Sequence, residues 1–249
     1  MMLAINRARP GNSKDDSAIG QYFDLANAFK NTMSRTKCNP WFVGVWDTVS
    51  SIGWIANPLK LPFVANNPDI EIGRHAVSID EHRAFFRNHL WRPPDTPGTA
   101  IGPKDLKQVW FAGVHCDVGG GYAEQESALS KIPLEWMMQE AKASGLEVNA
   151  IRGSEVLGRS GGNKYVAPDP NGIAHESLTG FWNLAEFVPK QHYNWETRNT
   201  SYRMNWYRPR TIPPKSLVHD SVFARGGNYA ARLPADAIPV STKPYVDGI

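Results

Sequence analysis

Cysteine is nearly absent. Cys38 and Cys116 are the only two in 249 residues, too few for a disulfide framework. The fold must therefore be held by an apolar core. No Lys/Arg cluster beyond scattered pairs accompanies the net charge of +3, so an electrostatic footprint for nucleic acid is excluded. No run of ~18 apolar residues occurs, and no transmembrane helix is expected. The opening MMLAINRARPGNSKDD lacks an apolar stretch of signal-peptide length. Cytoplasmic synthesis is the resulting expectation. No internal repeat is visible. Residues 1–40 also contain no G-x-S-x-G nucleophile elbow.

That last absence matters because of what is present. The apolar share of 41%, with nine Trp, is enough for a packed core in one large domain or two small ones. A polar loop over 6–16 precedes a helix on which Ile19, Phe23, Ala26, Phe29 and Met33 recur at helical spacing. Trp41–Trp46 is then a continuous apolar run that leads into Asp47. Val109–Val114 is a second such run and leads into His115. Unbroken apolar runs are expected of parallel strands covered on both faces, and ligands bind beyond the carboxyl ends of such strands. An acid followed later by a histidine is the second half of the chain order Ser…Asp…His of the α/β-hydrolases. A domain that starts with loop, helix and acid-bearing strand reads as one whose opening strands lie elsewhere.

The remaining segments read as follows. Thr48–Val64 is apolar and broken by Pro58 and Pro62, either a loop on the core or a cap over an apolar cleft. Gly73–Leu90 reads as a helix with Ala76, Ile79, Arg83, Phe86 and Leu90 on one face. Its histidines His75, His82 and His89 would lie two turns apart, ~10 Å along the axis, too far for one metal ion. Arg92–Lys104 is a loop. After His115, three glycines (Gly119, Gly120, Gly121) permit a tight turn that pins the histidine, as a general base requires. Pro133 reads as the opening of a helix with Leu134, Met137, Met138 and Ala141 toward the core and Gly145 as its stop. The Met pair is core filler, not a cofactor box. From Ala150 the pattern weakens into a glycine- and proline-rich loop region.

Three alternative chemistries stand beside the Asp47–His115 pair. Gly158-Arg159-Ser160-Gly161-Gly162 carries the letters of an elbow, but without a strand before it, and it falls after the histidine. Cys116 adjoins His115, yet neighbours in extended chain point to opposite faces. His115, Asp117 and Asp47 could be metal ligands, but only one histidine is available. No metal and no cofactor is expected.

The strings F-V-G-V-W-D-T-V-S (Phe42–Ser50), R-H-A-V-S-I-D-E-H-R (Arg74–Arg83), V-W-F-A-G-V-H-C-D-V-G-G-G-Y (Val109–Tyr122) and I-P-L-E-W-M (Ile132–Met137) occur in order. Together they resemble the class-one lipase effectors of type VI secretion, an α/β-hydrolase family. His219–Val222 with Leu233-Pro234 is similar to that family's C-terminal end. The resemblance implies a serine hydrolase of ester bonds, often in phospholipids, with Asp47 as triad acid and His115 as base. Family members carry a G-F-S-R-G elbow upstream of the acid-bearing strand. The implied fold is an incomplete α/β-hydrolase-like parallel sheet with helices on both faces and an irregular C-terminal region. Residues 1–145 would be the C-terminal portion of the hydrolase core, and 146–249 a loop-rich extension packed on the same domain. The implied partners are an upstream polypeptide carrying the serine elbow, a lipid or acyl-ester substrate, and the type VI apparatus or an immunity protein. Delivery to a target cell would follow. Two other readings stay open: a degenerate, non-catalytic homologue that binds a partner or lipid, and an autonomous enzyme with a different nucleophile or a metal.

Overall fold

The computed structural model describes residues 16–34, 39–49, 53–54, 57–58, 67–91, 102–160, 162, 164–180, 182–183, 186–193 and 200–243. The N-terminal loop, Cys38, most of the Thr48–Val64 segment and most of the Arg92–Lys104 loop lie outside these residues. Five strands form one parallel sheet: β1 (Phe42–Trp46), β2 (Ile72–Ser78), β3 (Asp105–Phe111), β4 (Leu217–His219) and β5 (Ile238–Val240). Spatial order follows chain order, and each neighbouring pair is parallel. Helices α1 (Asp16–Met33), α2 (His115–Gly119), α3 (Ala128–Ala143), α4 (Ala150–Val156), α5 (Asp220–Arg225) and α6 (Tyr229–Arg232) connect or flank the strands. A separate antiparallel ribbon pairs Lys190–Tyr193 with Thr200–Arg203.

Alternation along the strands explains the two-sided core, because successive side chains leave a strand on opposite faces. Ala76, Val109, Phe111 and Leu217 join one cluster with Val118 of α2 and Leu129, Ile132, Trp136 and Met137 of α3. Their alternates Val77, Trp110 and Val218 join a second cluster with Ile212, Val222 of α5 and Tyr229 of α6. The sheet is thus covered on both sides around the end of β3, which is why Val109–Phe111 reads as an unbroken apolar run.

Three sequence expectations are corrected. Gly73–Leu90 is not a helix. Its first part is β2, the second strand of the sheet, paired with β1 from Ile72 to Ala76 and with β3 from Ile72 to Ser78, and the rest is irregular. The misleading residues are polar ones in a buried strand. Arg74 is buried and donates to Glu140 of α3 (2.5 Å) and to Asp105 of β3 (2.8 Å). His75 is also buried; its Nδ1–H is donated to the Gln108 side chain (3.3 Å) and its Nε2 accepts from the Thr48 N–H (3.1 Å). Pro133 lies inside α3 instead of opening it, and Leu134 and Met138 are half-buried while Trp136 is the buried anchor. Gly145 does stop α3: the Leu146 N–H reaches the Ala141 carbonyl (3.0 Å) and the Gly145 N–H reaches that of Lys142 (3.0 Å). Finally, the segment after Ala150 opens as α4, capped by Asn149, whose side chain accepts from the Arg152 N–H (2.9 Å).

Two buried histidines make stability depend on pH. Burial pushes both His75 and His219 down to about 4. The hydrogen bonds agree with neutral rings, since Nε2 of His75 and Nδ1 of His219 each accept from a backbone N–H. The unfolded rings protonate near 6.5. Stability is therefore complete above that value and is lost as pH falls from it toward 4. The expected loss between pH 7 and 5 is about 2 kcal/mol per histidine. Urea unfolding at the two pH values measures it. His75→Gln and His219→Gln should each remove about half of the pH dependence, and an unchanged slope in both variants would refute the assignment.

Candidate active site

The backbone delivers Asp47 directly from the end of β1. Its φ is +40°, an uncommon value outside glycine. The turn is fixed to β2 on both sides: the Asp47 N–H donates to the Ala76 carbonyl (2.7 Å), and the Thr48 N–H to His75 as described. His75 is thus the strut beneath the acid, not a ligand.

His115 comes from β3 by a different route than a strand end. β3 stops at Phe111, and His115 is the first residue of α2. Gly113 makes the turn with φ +103°, and a Cβ there would lie 2.4 Å from the Cβ of Asp117. Asp117 caps the helix, accepting the Val114 N–H (3.0 Å). Its other contacts go to His175, which donates through Nδ1 (2.6 Å) and its backbone N–H (3.1 Å). The His175 ring stacks on Tyr122, with centroids 3.5 Å apart.

The two predicted residues meet. His115 Nδ1 lies 2.7 Å from Asp47 Oδ2. Asp47 is fully buried, whereas the His115 side chain is 27% exposed. The carboxylate also accepts the Ser78 N–H at Oδ1 (2.9 Å) and both terminal nitrogens of Arg210, one at Oδ1 and one at Oδ2 (3.1 Å). Burial opposes ionisation of Asp47. The Arg210 charge and the hydrogen bonds from His115, Arg210 and Ser78 outweigh it and hold the carboxyl well below the usual range. An ionised Asp47 fixes the proton of neutral His115 on Nδ1. Nε2, which has no hydrogen-bond partner among the described residues, is left as the acceptor.

Around this pair lie residues that the sequence reading did not single out for a role. Glu81, with a fully buried side chain, accepts the His115 N–H (3.2 Å) and a two-pronged contact from Arg83 (2.9 Å at Nε and at Nη2). Ser177 donates to the same carboxylate (3.0 Å). Arg83 covers the Phe86 ring at 3.5 Å, and Phe86 meets the His115 ring edge-on at 5.1 Å. Trp182 packs on Phe86 in turn (5.4 Å). Only the string E-H-R, within a segment read as helix, could have pointed to Glu81. Nothing in the sequence pattern pointed to Arg210 or His175.

Ser160 is exposed in a bend after helix α4, without the strand that an elbow needs. The Cys116 thiol is pushed up by burial, the reverse of what a nucleophilic cysteine needs. Among the described residues, no group of three or more His, Cys, Asp or Glu is placed to hold a metal ion. No helix among them is long and apolar enough to cross a membrane.

No curated protein and no solved structure matches the chain. A family model does, over residues 4–140, more than half of the chain; its description reads "T6SS, Phospholipase effector Tle1-like, catalytic domain". That stretch contains both Asp47 and His115 and the three strands that carry the site. The chain belongs to the family of Tle1-like phospholipase effector catalytic domains of type VI secretion.

Proposed function

We propose that this chain supplies the acid and the base of a serine ester hydrolase acting on phospholipid acyl esters. The observation that carries the reading is the 2.7 Å contact between Nδ1 of the partly exposed His115 side chain and the buried Asp47 carboxylate. A serine hydroxyl attacks the acyl carbonyl while Nε2 takes its proton. Asp47 holds the tautomer, and backbone N–H groups receive the oxyanion. His115 then returns the proton to the departing alcohol.

The serine comes from a polypeptide upstream, on a G-F-S-R-G elbow of the kind the family carries. β1 is the edge strand of the described sheet, and its five residues are all only half-covered. A parallel strand laid along that edge would end beside Asp47, where an elbow serine is needed. Family membership supports a lipid substrate and a type VI apparatus as carrier; an immunity protein in the producing cell completes the proposal.

Co-expression with the upstream polypeptide tests this. A fluorophosphonate probe should label the elbow serine of the assembly, and the assembly should hydrolyse phospholipid vesicles. The chain by itself should do neither. Labelling of the isolated chain that is lost in Ser160→Ala would overturn the proposal. An unreactive assembly would favour the non-catalytic homologue.

A further inference from the structure

Arg210 lies outside the stretch that the family model covers, in a segment whose Arg-Pro-Arg-Thr-Ile-Pro-Pro sequence reads as plain loop. Its side chain is nonetheless 1% exposed. Nη1 donates to Asp47 Oδ1, to the Ser78 carbonyl (3.0 Å) and to the Ser78 hydroxyl (2.8 Å). Nη2 donates to Asp47 Oδ2 (3.1 Å) and to the Phe86 carbonyl. We propose that Arg210 is the positioning residue of the acid–base pair: it keeps Asp47 ionised and in plane, and through Phe86 it sets the His115 ring. The inference rests on the proposed hydrolase reading for its functional meaning, but the contacts it concerns exist in the chain alone.

The physical need is specific. A carboxylate with no exposure to water is driven toward its protonated form. A protonated Asp47 would carry a donor of its own and would no longer hold the His115 tautomer by charge. The guanidinium fork meets both oxygens, which fixes the carboxylate plane as well as its charge. Ser78 adds a backbone donor on Oδ1, and Oδ2 is presented to His115. The Phe86 carbonyl held by Arg210 belongs to the residue whose ring abuts His115. Arg210 therefore reaches the imidazole from two sides without touching it. A lysine has one point of charge and no fork, so it could maintain ionisation but not the plane.

The readout is the far-downfield proton resonance of an imidazole N–H donated to a carboxylate, recorded on the chain itself and assigned by its loss in His115→Gln. The native chain should keep this resonance well into the acid range. In Arg210→Met it should vanish at a pH about 1–3 units higher, the shift that loss of a neighbouring opposite charge produces. Arg210→Lys should keep the native pH limit but move and broaden the resonance. If Arg210→Met does not fold, Asp47→Asn/Arg210→Met should fold again, because no unpaired buried charge remains. A folded Arg210→Met with an unchanged resonance and pH limit would overturn the proposal, as would a double variant no better folded than the single one. A native chain without the resonance would overturn it as well. An assembly that hydrolyses no ester while these shifts occur would sink the hydrolase reading and leave the Arg210 assignment standing.

Discussion

Replacing His115 by alanine is expected to lower ester hydrolysis by the serine-bearing assembly about 10⁶-fold, the loss seen when a triad base is removed. The reason lies in the site's division of labour. His115 is the titratable side chain of the pair that reaches partly into solvent, and its Nε2 is the free acceptor. Without it the serine hydroxyl has no base, and the departing alcohol no acid. Asp47→Asn should cost about 10⁴-fold by releasing the wrong tautomer. That variant also strips Arg210 of its counter-charge, so its folding must be measured beside its rate. Substrate binding should change little in His115→Ala, because the base contributes to the transition state and not to lipid capture. Initial rates on phospholipid vesicles, with probe labelling as a check on the serine, decide the matter. A His115→Ala assembly within tenfold of the native rate would remove the general-base assignment.

The second large effect is on stability. Glu81→Ala is expected to cost about 3–5 kcal/mol, the usual consequence of removing one partner of a buried ion pair. Arg83 is itself nearly buried and would lose both contacts to the carboxylate, keeping only the faces of Phe86 and Trp182. The N–H of His115 would lose its acceptor and Ser177 its partner. Glu81→Gln retains the shape and one acceptor and should cost less than alanine. Glu81→Leu/Arg83→Met, which removes both charges, should be milder than the single alanine change. Urea unfolding of the four proteins gives the comparison; a cost below 1 kcal/mol for Glu81→Ala would mean that the cluster does not organise the loop under His115. Burial opposes the charge on Glu81, but hydrogen bonds from Arg83 and the Arg83 charge hold its carboxyl below the ordinary value. Its contribution is therefore present above the unfolded carboxyl range and fades only as pH falls through the lower, folded value.

Legibility divided along a physical line. β1 and β3 could be read because their apolar runs need no distant partner to make sense, and each leads toward a residue with chemistry. β2 could not. Its buried Arg74 and His75 look like surface positions until Glu140, Asp105 and Gln108 are brought to them by the fold. Asp47 and His115 were visible for the same reason as their strands. Arg210 was not, because a guanidinium in a proline-rich loop has no local pattern, and its carboxylate is 163 positions away. His175 and Ser177 were hidden likewise: they act on Asp117 and Glu81 from a segment without periodicity. The apolar run overshoots the end of β3 by three residues because Ala112, Gly113 and Val114 are as buried as the strand's last residues.

The span of the Asp47 contacts also sets the time at which the site can come into being. Its carboxylate is tied to residues 31, 68 and 163 positions further along the chain. The first two ties can form once β2 and α2 have been synthesised. The last cannot, and closing so long a loop carries an entropic cost that only a largely formed sheet can offset. During synthesis the acid must pass through a stage in which it is deprived of water, or kept in it, without its guanidinium. The order of events that avoids an unpaired buried charge is for β1 to settle last, after the segment around Arg210 is in place. Maturation of the acid–base pair would then be one of the final steps of folding, slower than the collapse of the core around Trp110 and Trp136.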